Sequence, residues 1–282
     1  MNRHLFITDF DGTLLNDDKA ISARDLETLD RLRCKGMVVA IATGRSIYSF
    51  QKALAQIQLE KHLVPVDYLL FSTGAGILCM KQDRIIRNLA ISRHDVVKIS
   101  TYFTHTNMDY MVHKAIPETA YFLYKSHGQE NPDFHKRIQL YQSFASPLDH
   151  DSLLYESATQ VLAVVPGKLS PGRVAEMRSD LAGYSVIHAT SPLDHQSAWI
   201  EVFHHKASKS QAAAWLACRL KIPQPMVVAV GNDFNDQDLL EWSGQGFCVA
   251  NAVPGLDTGI LMPVSNNAHG VTRAAVMSGL LD

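Results

Sequence analysis

Apolar and polar positions follow two different rhythms along this chain. Near both ends, short unbroken apolar runs alternate with amphipathic stretches of helical period. "RHLFIT" at 3–8, "MVVAIA" at 37–42, "DYLLF" at 67–71 and "MVVAV" at 226–230 read as strands buried on both faces. Between the first two, Leu26, Leu29 and Leu32 recur at helical spacing. Ser22 with Asp25 supplies a capping pair before them, and Gly36 a stop after them. Further helices are predicted over about 46–57, 208–220, 235–242 and 270–280. Strands alternating with helices in this order imply a parallel sheet covered on both sides.

The middle of the chain is different. "GILCM" and "RIIRN" flank a polar turn as a hairpin. A helix is predicted over 93–105 and another over 171–183. "MDYMVH", "AYFLYK", "TQVLAVV", "YSVIHAT" and "AWIEVF" read as strands. Residues 126–149, polar and interrupted by Pro132 and Pro147, predict irregular chain. The simplest architecture is an α/β, doubly wound, Rossmann-like parallel-sheet core built from residues 1–83 and 203–282. An α+β domain, residues 84–202, is inserted into it.

Composition narrows the partners. The chain has 282 residues, 46% hydrophobic and 19% charged, an ordinary globular balance. Its 26 basic and 28 acidic residues leave a net charge of −2, with no bulk-charge signature of a nucleic-acid or membrane partner. No run approaches the ~18 apolar residues of a membrane span, and the first residues lead straight into a strand without a secretory core. A cytoplasmic protein is expected. Cys34, Cys79, Cys218 and Cys248 form no CxxC pair and read as reduced, mostly buried thiols. The 13 histidines show no HExxH spacing. His204 and His205, adjacent on a predicted strand, are expected to point to opposite faces.

Candidate chemistry sits where three predicted strands end: "FIT-DFDGT", "VVAIA-TGR" and "VVAV-GNDFND". In open α/β sheets, ligands bind at the carboxyl ends of strands, so these turns share one crevice. Asp9 and Asp11 lie two residues apart, with Phe10 turned the other way. Two close carboxylates repel, and a divalent cation with oxygen ligands resolves the conflict. Asn232, Asp233, Asn235 and Asp236 offer further oxygens. The Thr43 hydroxyl, the Gly44 N–H and Lys209, at a helix start, offer donors for a phosphate. Together these describe phosphoryl transfer through an aspartyl-phosphate. The terminal glutamate of an EF-hand loop is absent after "GNDFND".

With these residues in place, the chain resembles the haloacid dehalogenase-like (HAD) phosphatases, and within them the Cof-type sugar-phosphatase branch with a large α/β cap. "DFDGTLL", "IATGR", Lys209 and "GNDFND" match the four family motifs in order, and "VANA" with "SNNAHGV" resembles the family's ending. The resemblance implies Asp9 as nucleophile and metal ligand, and Asp11 as general acid/base with its backbone carbonyl on the metal. It implies Mg²⁺ as the cofactor, Thr43, Gly44 and Lys209 on the phosphate, and Asn232 and Asp236 completing the metal site, with Asp233 as an alternative ligand. Asn235 is implied to help orient Lys209 or the loop. Arg45 faces either the substrate or a core carboxylate. The inserted domain is expected to close as a cap, with 113–135 as the segment in which to look for substrate contacts.

Three positions depart from the family pattern: Asn232 where the usual first acid stands, Ser210 after the lysine, and Thr73 in the "TGA" turn. The expected function is a Mg²⁺-dependent phosphatase of small phosphorylated metabolites, sugar phosphates foremost, as a monomer or a dimer. A phosphomutase using the same aspartyl-phosphate and a phospho-aspartate signalling domain remain open as alternatives.

Overall fold

The computed structural model describes residues 3–128, 130–148 and 155–282. The chain divides into two compact units, Met1–Arg87 with Ser208–Asp282, and Asn88–Ala207. The second is an insertion in the first.

The first unit holds strands β1 (Leu5–Asp9), β2 (Val38–Ala42), β3 (Tyr68–Phe71), β4 (Gly76–Cys79) and β5 (Arg84–Asn88). The inserted unit carries β6 (Ile91–Ser92), β7 (Asp109–Lys114), β8 (Phe122–Lys125), β9 (Ala145–Pro147), β10 (Ser157–Val165), β11 (Tyr184–Thr190) and β12 (Ala198–His204). The chain then returns with β13 (Val227–Gly231), β14 (Gln245–Cys248) and β15 (Ile260–Leu261). Among the described residues the α-helices follow the same order: α1 (Ala23–Cys34), α2 (Ile47–Gln56), α3 (Arg93–His105), α4 (Pro132–Leu140), α5 (Pro171–Asp180), α6 (Lys209–Leu220), α7 (Gln237–Trp242) and α8 (Gly270–Met277).

The first sheet runs β15-β14-β13-β1-β2-β3-β4-β5. β1 pairs in parallel with β13 on one side and β2 on the other, Leu5 lying level with both Val227 and Val38. β4 turns back antiparallel to β3. The chain leaves β1 in one direction and returns on the other side through β13. The carboxyl ends of β1, β2 and β13 therefore meet at a topological switch point. The apolar runs are continuous because both faces are buried. Leu5, Ile7, Val38, Ala40, Val227 and Ala229 pack with Ala212, Ala213 and Leu216 of α6 and Leu239 of α7. Phe6, Val39 and Ile41 alternate with them and are fully buried as well.

The inserted sheet runs β11-β12-β10-β7-β8-β9, with β6 on β10. Val112, Val161, Ile200 and Val202 meet Val96 and Phe103 of α3 and Met177 of α5. Met111, Phe122, Leu162 and Trp199 meet Phe134 and Ile138 of α4.

Four sequence expectations are corrected. The segment expected to be irregular holds α4 and β9; its residues 129 and 149 lie outside the described residues. Asn131 caps α4 by accepting from the Phe134 N–H, Pro132 occupies the first turn, and Phe134 is fully buried. The unit boundaries fall a few residues later than 83/84 and 202/203, because β5 belongs to the first sheet and β12 runs on to His204. Cys34 and Cys218 are exposed and Cys248 alone of the four is buried, since the first two sit on the outer faces of α1 and α6. The His204 and His205 rings stack, centroids 4.3 Å apart at 28°, because β12 ends at His204 and the chain turns there. Among the described residues, no helix is long and apolar enough to cross a membrane.

One buried carboxylate ties the chain ends together. Asp25 on α1 is fully buried and accepts from Ser22 Oγ (2.7 Å), Thr272 N (2.9 Å) and Thr272 Oγ1 (2.7 Å) on α8. Asp25→Ala leaves the Thr272 N–H buried without an acceptor. A loss of about 3 kcal/mol in urea unfolding is expected; a change below about 1 kcal/mol would show that the contact contributes little.

Candidate active site

β1 delivers Asp9 to the switch point, and the following loop reverses through Gly12. Gly12 has φ +73°, and a Cβ there would lie 2.7 Å from the Asn232 side-chain amide. Glycine is therefore required on two counts, backbone conformation and space. Phe10 is fully buried against Phe50 of α2, ring centroids 4.9 Å apart. Its anchoring leaves Asp9 and Asp11 on the crevice side.

Lys209, the first residue of α6, is fully buried. Its three N–H groups go to Asp9 Oδ1 (2.7 Å), Asp236 Oδ1 (2.5 Å) and Asn235 Oδ1 (3.1 Å). Burial alone would lower this ammonium, but the charges of Asp236 and Asp9 outweigh it and hold Lys209 above its ordinary value. Two carboxylates share one cation, and the imbalance appears at Asp9. Burial first, then the Asp236 charge, push Asp9 up to about 8 against the opposing pull of Lys209.

Asp236 is fully buried and uses its other oxygen, Oδ2, to accept from Asn232 N (2.9 Å) and Asp233 N (3.1 Å). This carboxylate, expected among the metal ligands, has both oxygens turned to protein donors. Asp233 caps the same turn through the Phe234 N–H (2.7 Å). Gly231 is required here, as a Cβ would come 2.6 Å from the Asp236 side chain.

The Asn232 amide satisfies its surroundings when its nitrogen faces Thr13 Oγ1 (2.9 Å), the Asp11 carbonyl (2.9 Å) and Asp9 Oδ2 (3.2 Å). Asp9 Oδ2, the Asp11 carbonyl and the Asn232 amide thus converge on one place. Among the described residues, no three His, Cys, Asp or Glu side chains form a metal cluster. The convergent set is mixed instead, with carboxylate, backbone carbonyl and amide oxygens after rotation of the Asn232 side chain. An all-oxygen set with one carboxylate fits Mg²⁺, which keeps waters and takes substrate phosphate oxygens for the rest.

The Asp11 carboxylate is gripped by Arg45. Nε lies 2.7 Å from Oδ2 and Nη2 2.7 Å from Oδ1, a bidentate fork. Arg45 is seated by Ser49 Oγ (3.1 Å) and the Ser49 carbonyl (3.3 Å) and lies 5.7 Å from the Phe10 ring centroid. Arg45 thus meets a carboxylate, one of the two partners open for it. Thr43 is buried, its Oγ1 accepting from Arg45 N (3.1 Å), and Gly44 follows at the end of β2.

Supports with no role assigned from sequence surround this set. Asn251 Nδ2 donates to the Gly12 carbonyl (2.8 Å), and Asn251 Oδ1 accepts from Asn266 N (2.9 Å). Asn266 and Asn267 bind Asp17 at 3.1 and 2.8 Å, so Asp17 is an anchor as well as a turn residue. The asparagine-rich tail "VANA…SNN" was the available signal, and its target, the loop after Asp9, was not readable from it. Two departures also have places. Ser210 N and Oγ both bind Asp238 Oδ2, fastening the start of α6 to α7. The Thr73 turn packs on that same start, where a Cβ on Gly74 would lie 2.2 Å from the Ser208 carbonyl.

A doubly wound sheet with a carboxylate pair, a buried lysine and a hard-cation oxygen set at its carboxyl edge defines an enzyme equipped for phosphoryl chemistry. The chain belongs to the haloacid dehalogenase-like hydrolases, matching that family over residues 6–274. It is 25% identical over 281 residues to the putative phosphatase YxeH of Bacillus subtilis, covering 96% of each chain. It is 28% identical over 258 residues to the 5-amino-6-(5-phospho-D-ribitylamino)uracil phosphatase YitU of the same organism, covering 89% of this chain and 87% of that one. In fold it is similar to the HAD phosphatase BT1666 of Bacteroides thetaiotaomicron, with TM-score 0.76 at 18% identity, covering 99% of this chain and 96% of that one.

Replacing Lys209 with Met leaves Asp9 and Asp236 buried without their cation. In chelator-treated protein this is expected to cost about 3–5 kcal/mol of unfolding free energy. Adding Asp236→Asn should recover part of it. Additive losses in the double variant would mean the ammonium does not bridge the two acids.

Proposed function

We propose that this chain is a Mg²⁺-dependent phosphatase acting on phosphate monoesters of small metabolites, sugar phosphates foremost, through an aspartyl-phosphate on Asp9. The observation that carries this reading is Asp9 itself. It is fixed by Lys209 through one oxygen, its other oxygen faces the Asp11 carbonyl and Asn232, and the Asp11 carboxylate stands two residues away. Asp9, the Asp11 carbonyl and Asn232 would hold Mg²⁺, with Asp236 as a brace for Lys209 and the loop. When bound, the cation supplies neutralisation of phosphoryl charge.

Asp9 attacks phosphorus in line, and the bond to the leaving oxygen breaks as the new P–O bond forms. To act as the acid, Asp11 must first take up a proton from solvent and loosen the Arg45 fork; it then gives that proton to the leaving alcohol. Asp11 then takes a proton from water as that water's oxygen attacks phosphorus. The bond to Asp9 breaks, returning the carboxylate and inorganic phosphate. Lys209 acts through Asp9, holding one rotamer and offsetting its charge. The Thr43 hydroxyl and the Gly44 N–H are the donors for phosphate oxygens. Arg45 sets the direction of the Asp11 carboxylate.

Relatives bearing the name phosphatase favour hydrolysis over return of the phosphoryl group to a sugar. One relative's named substrate carries its phosphate on a ribityl chain, which supports polyol or sugar phosphates as the class. An Asp11 beside the nucleophile and an insertion of Asn88–Ala207 exceed what a phospho-aspartate signalling domain requires.

The test is a panel of phosphorylated metabolites with wild type and Asp9→Asn, each with Mg²⁺ and with chelator. Phosphate release that needs both Asp9 and Mg²⁺ is expected. Absence of metal-dependent release from every substrate by wild type would refute the reading. Arg45→Lys loses the bidentate fork. A fall of about 10–100-fold in kcat, with KM and unfolding free energy little changed, is expected from the misdirected acid/base.

A further inference from the structure

The charges around the convergent oxygens are few. Of the Asp9 carboxylate, Oδ1 is held by Lys209 and only Oδ2 faces the Asp11 carbonyl and Asn232. Both carboxylate oxygens of Asp11 are taken by Arg45. Both of Asp236 are taken by Lys209 and two backbone N–H groups. Asp233 caps its own turn. The remaining oxygens, the Asp11 carbonyl and the Asn232 amide, are neutral.

Asn232 adds a second obstacle. Its nitrogen is the end that suits Thr13, the Asp11 carbonyl and Asp9. Presenting its oxygen to a cation requires a half-turn that gives up the bonds to the Asp11 carbonyl and Asp9, while Thr13 Oγ1 turns from acceptor to donor at 2.9 Å. Mg²⁺ sheds water reluctantly and depends on carboxylate or phosphate oxygens for charge. One carboxylate oxygen with two neutral ones makes a weak site in the protein alone. A phosphate placed beside it would supply the missing negative charge.

We propose that Mg²⁺ and the phosphoryl group bind this site as a coupled pair: the free protein holds the cation weakly, each ligand raises the affinity of the other, and Asn232 is the residue that makes it so. This rests on the phosphatase reading and states how its cofactor is loaded. The cation would remain mobile until substrate arrives, and product phosphate would carry the metal's grip away as it leaves. Linkage requires the two affinities to rise by the same factor.

The experiment is calorimetric titration of Mg²⁺ into chelator-stripped wild type, Asn232→Asp and Asp9→Asn, each without and with saturating inorganic phosphate. In wild type, phosphate is expected to lower the Mg²⁺ Kd at least ~10-fold, about 1.4 kcal/mol. Mg²⁺ should lower the phosphate Kd by the same factor. Asn232→Asp should bind Mg²⁺ at least ~10-fold more tightly than wild type without phosphate, and its coupling should shrink. Asp9→Asn should bind neither way, which locates the ion. An unchanged wild-type Kd on adding phosphate, an arm that needs no variant, overturns the proposal while leaving the phosphatase reading standing. So does an Asn232→Asp protein, folded by circular dichroism, that binds no more tightly. Failure of wild type and Asn232→Asp alike to bind Mg²⁺, with or without phosphate, overturns the metal-dependent reading as well.

Discussion

Lys209 lies with its ammonium wholly inside the protein, between Asp9 and Asp236, and the arrangement of the site follows from that placement. A buried ammonium is tolerated only when its donors are used, and here three side chains from two loops use them. Each partner is thereby fixed in turn. Asp9 is held in one direction at the end of β1. Asp236, pulled by Lys209 on one oxygen, binds the Asn232 and Asp233 N–H groups with the other and shapes the loop after β13. Asn235 is drawn to the same nitrogen. The loops after two strands and the start of one helix become a single electrostatic unit.

The surrounding structure keeps that unit in place by means unrelated to charge. Gly74 and Gly231 leave room for backbone or side-chain atoms that any Cβ would strike. Ser210 and Asp238 fasten α6 to α7. The asparagines of the tail bind the loop that follows Asp9 from its far side, at Gly12, Leu15 and Asp17. Residues with no part in bond making thus determine where Asp9 and Asp11 stand. Arg45 belongs with them, since its grip on Asp11 depends on Ser49 and Phe10.

Most of the parallel core was legible because its signal is local. A strand buried on both faces must be apolar throughout, and a helix on a sheet must carry a stripe. α4 was missed because its length is short and its polar face dominates the pattern. Its evidence was the Asn131-Pro132 start, which the two prolines of the segment obscured. The histidine pair was misjudged for a related reason: strand alternation fails where the strand stops, and sequence marked that end imprecisely.

By itself the sequence determined which residues reach the carboxyl edge of the sheet. Asp9, Asp11, Thr43, Gly44 and the Asn232–Asp236 loop each follow a buried strand, and Lys209 opens a helix. Only the tertiary structure decided what each one faces. The four acids at this edge are alike in sequence, yet Asp9 keeps one oxygen toward the crevice, Asp11 is clasped by Arg45, Asp236 is turned wholly inward, and Asp233 caps a turn. The physical reason is that a carboxylate's role depends on which donors reach its two oxygens. Those donors come from positions two hundred residues away and more, brought together only when the sheet forms.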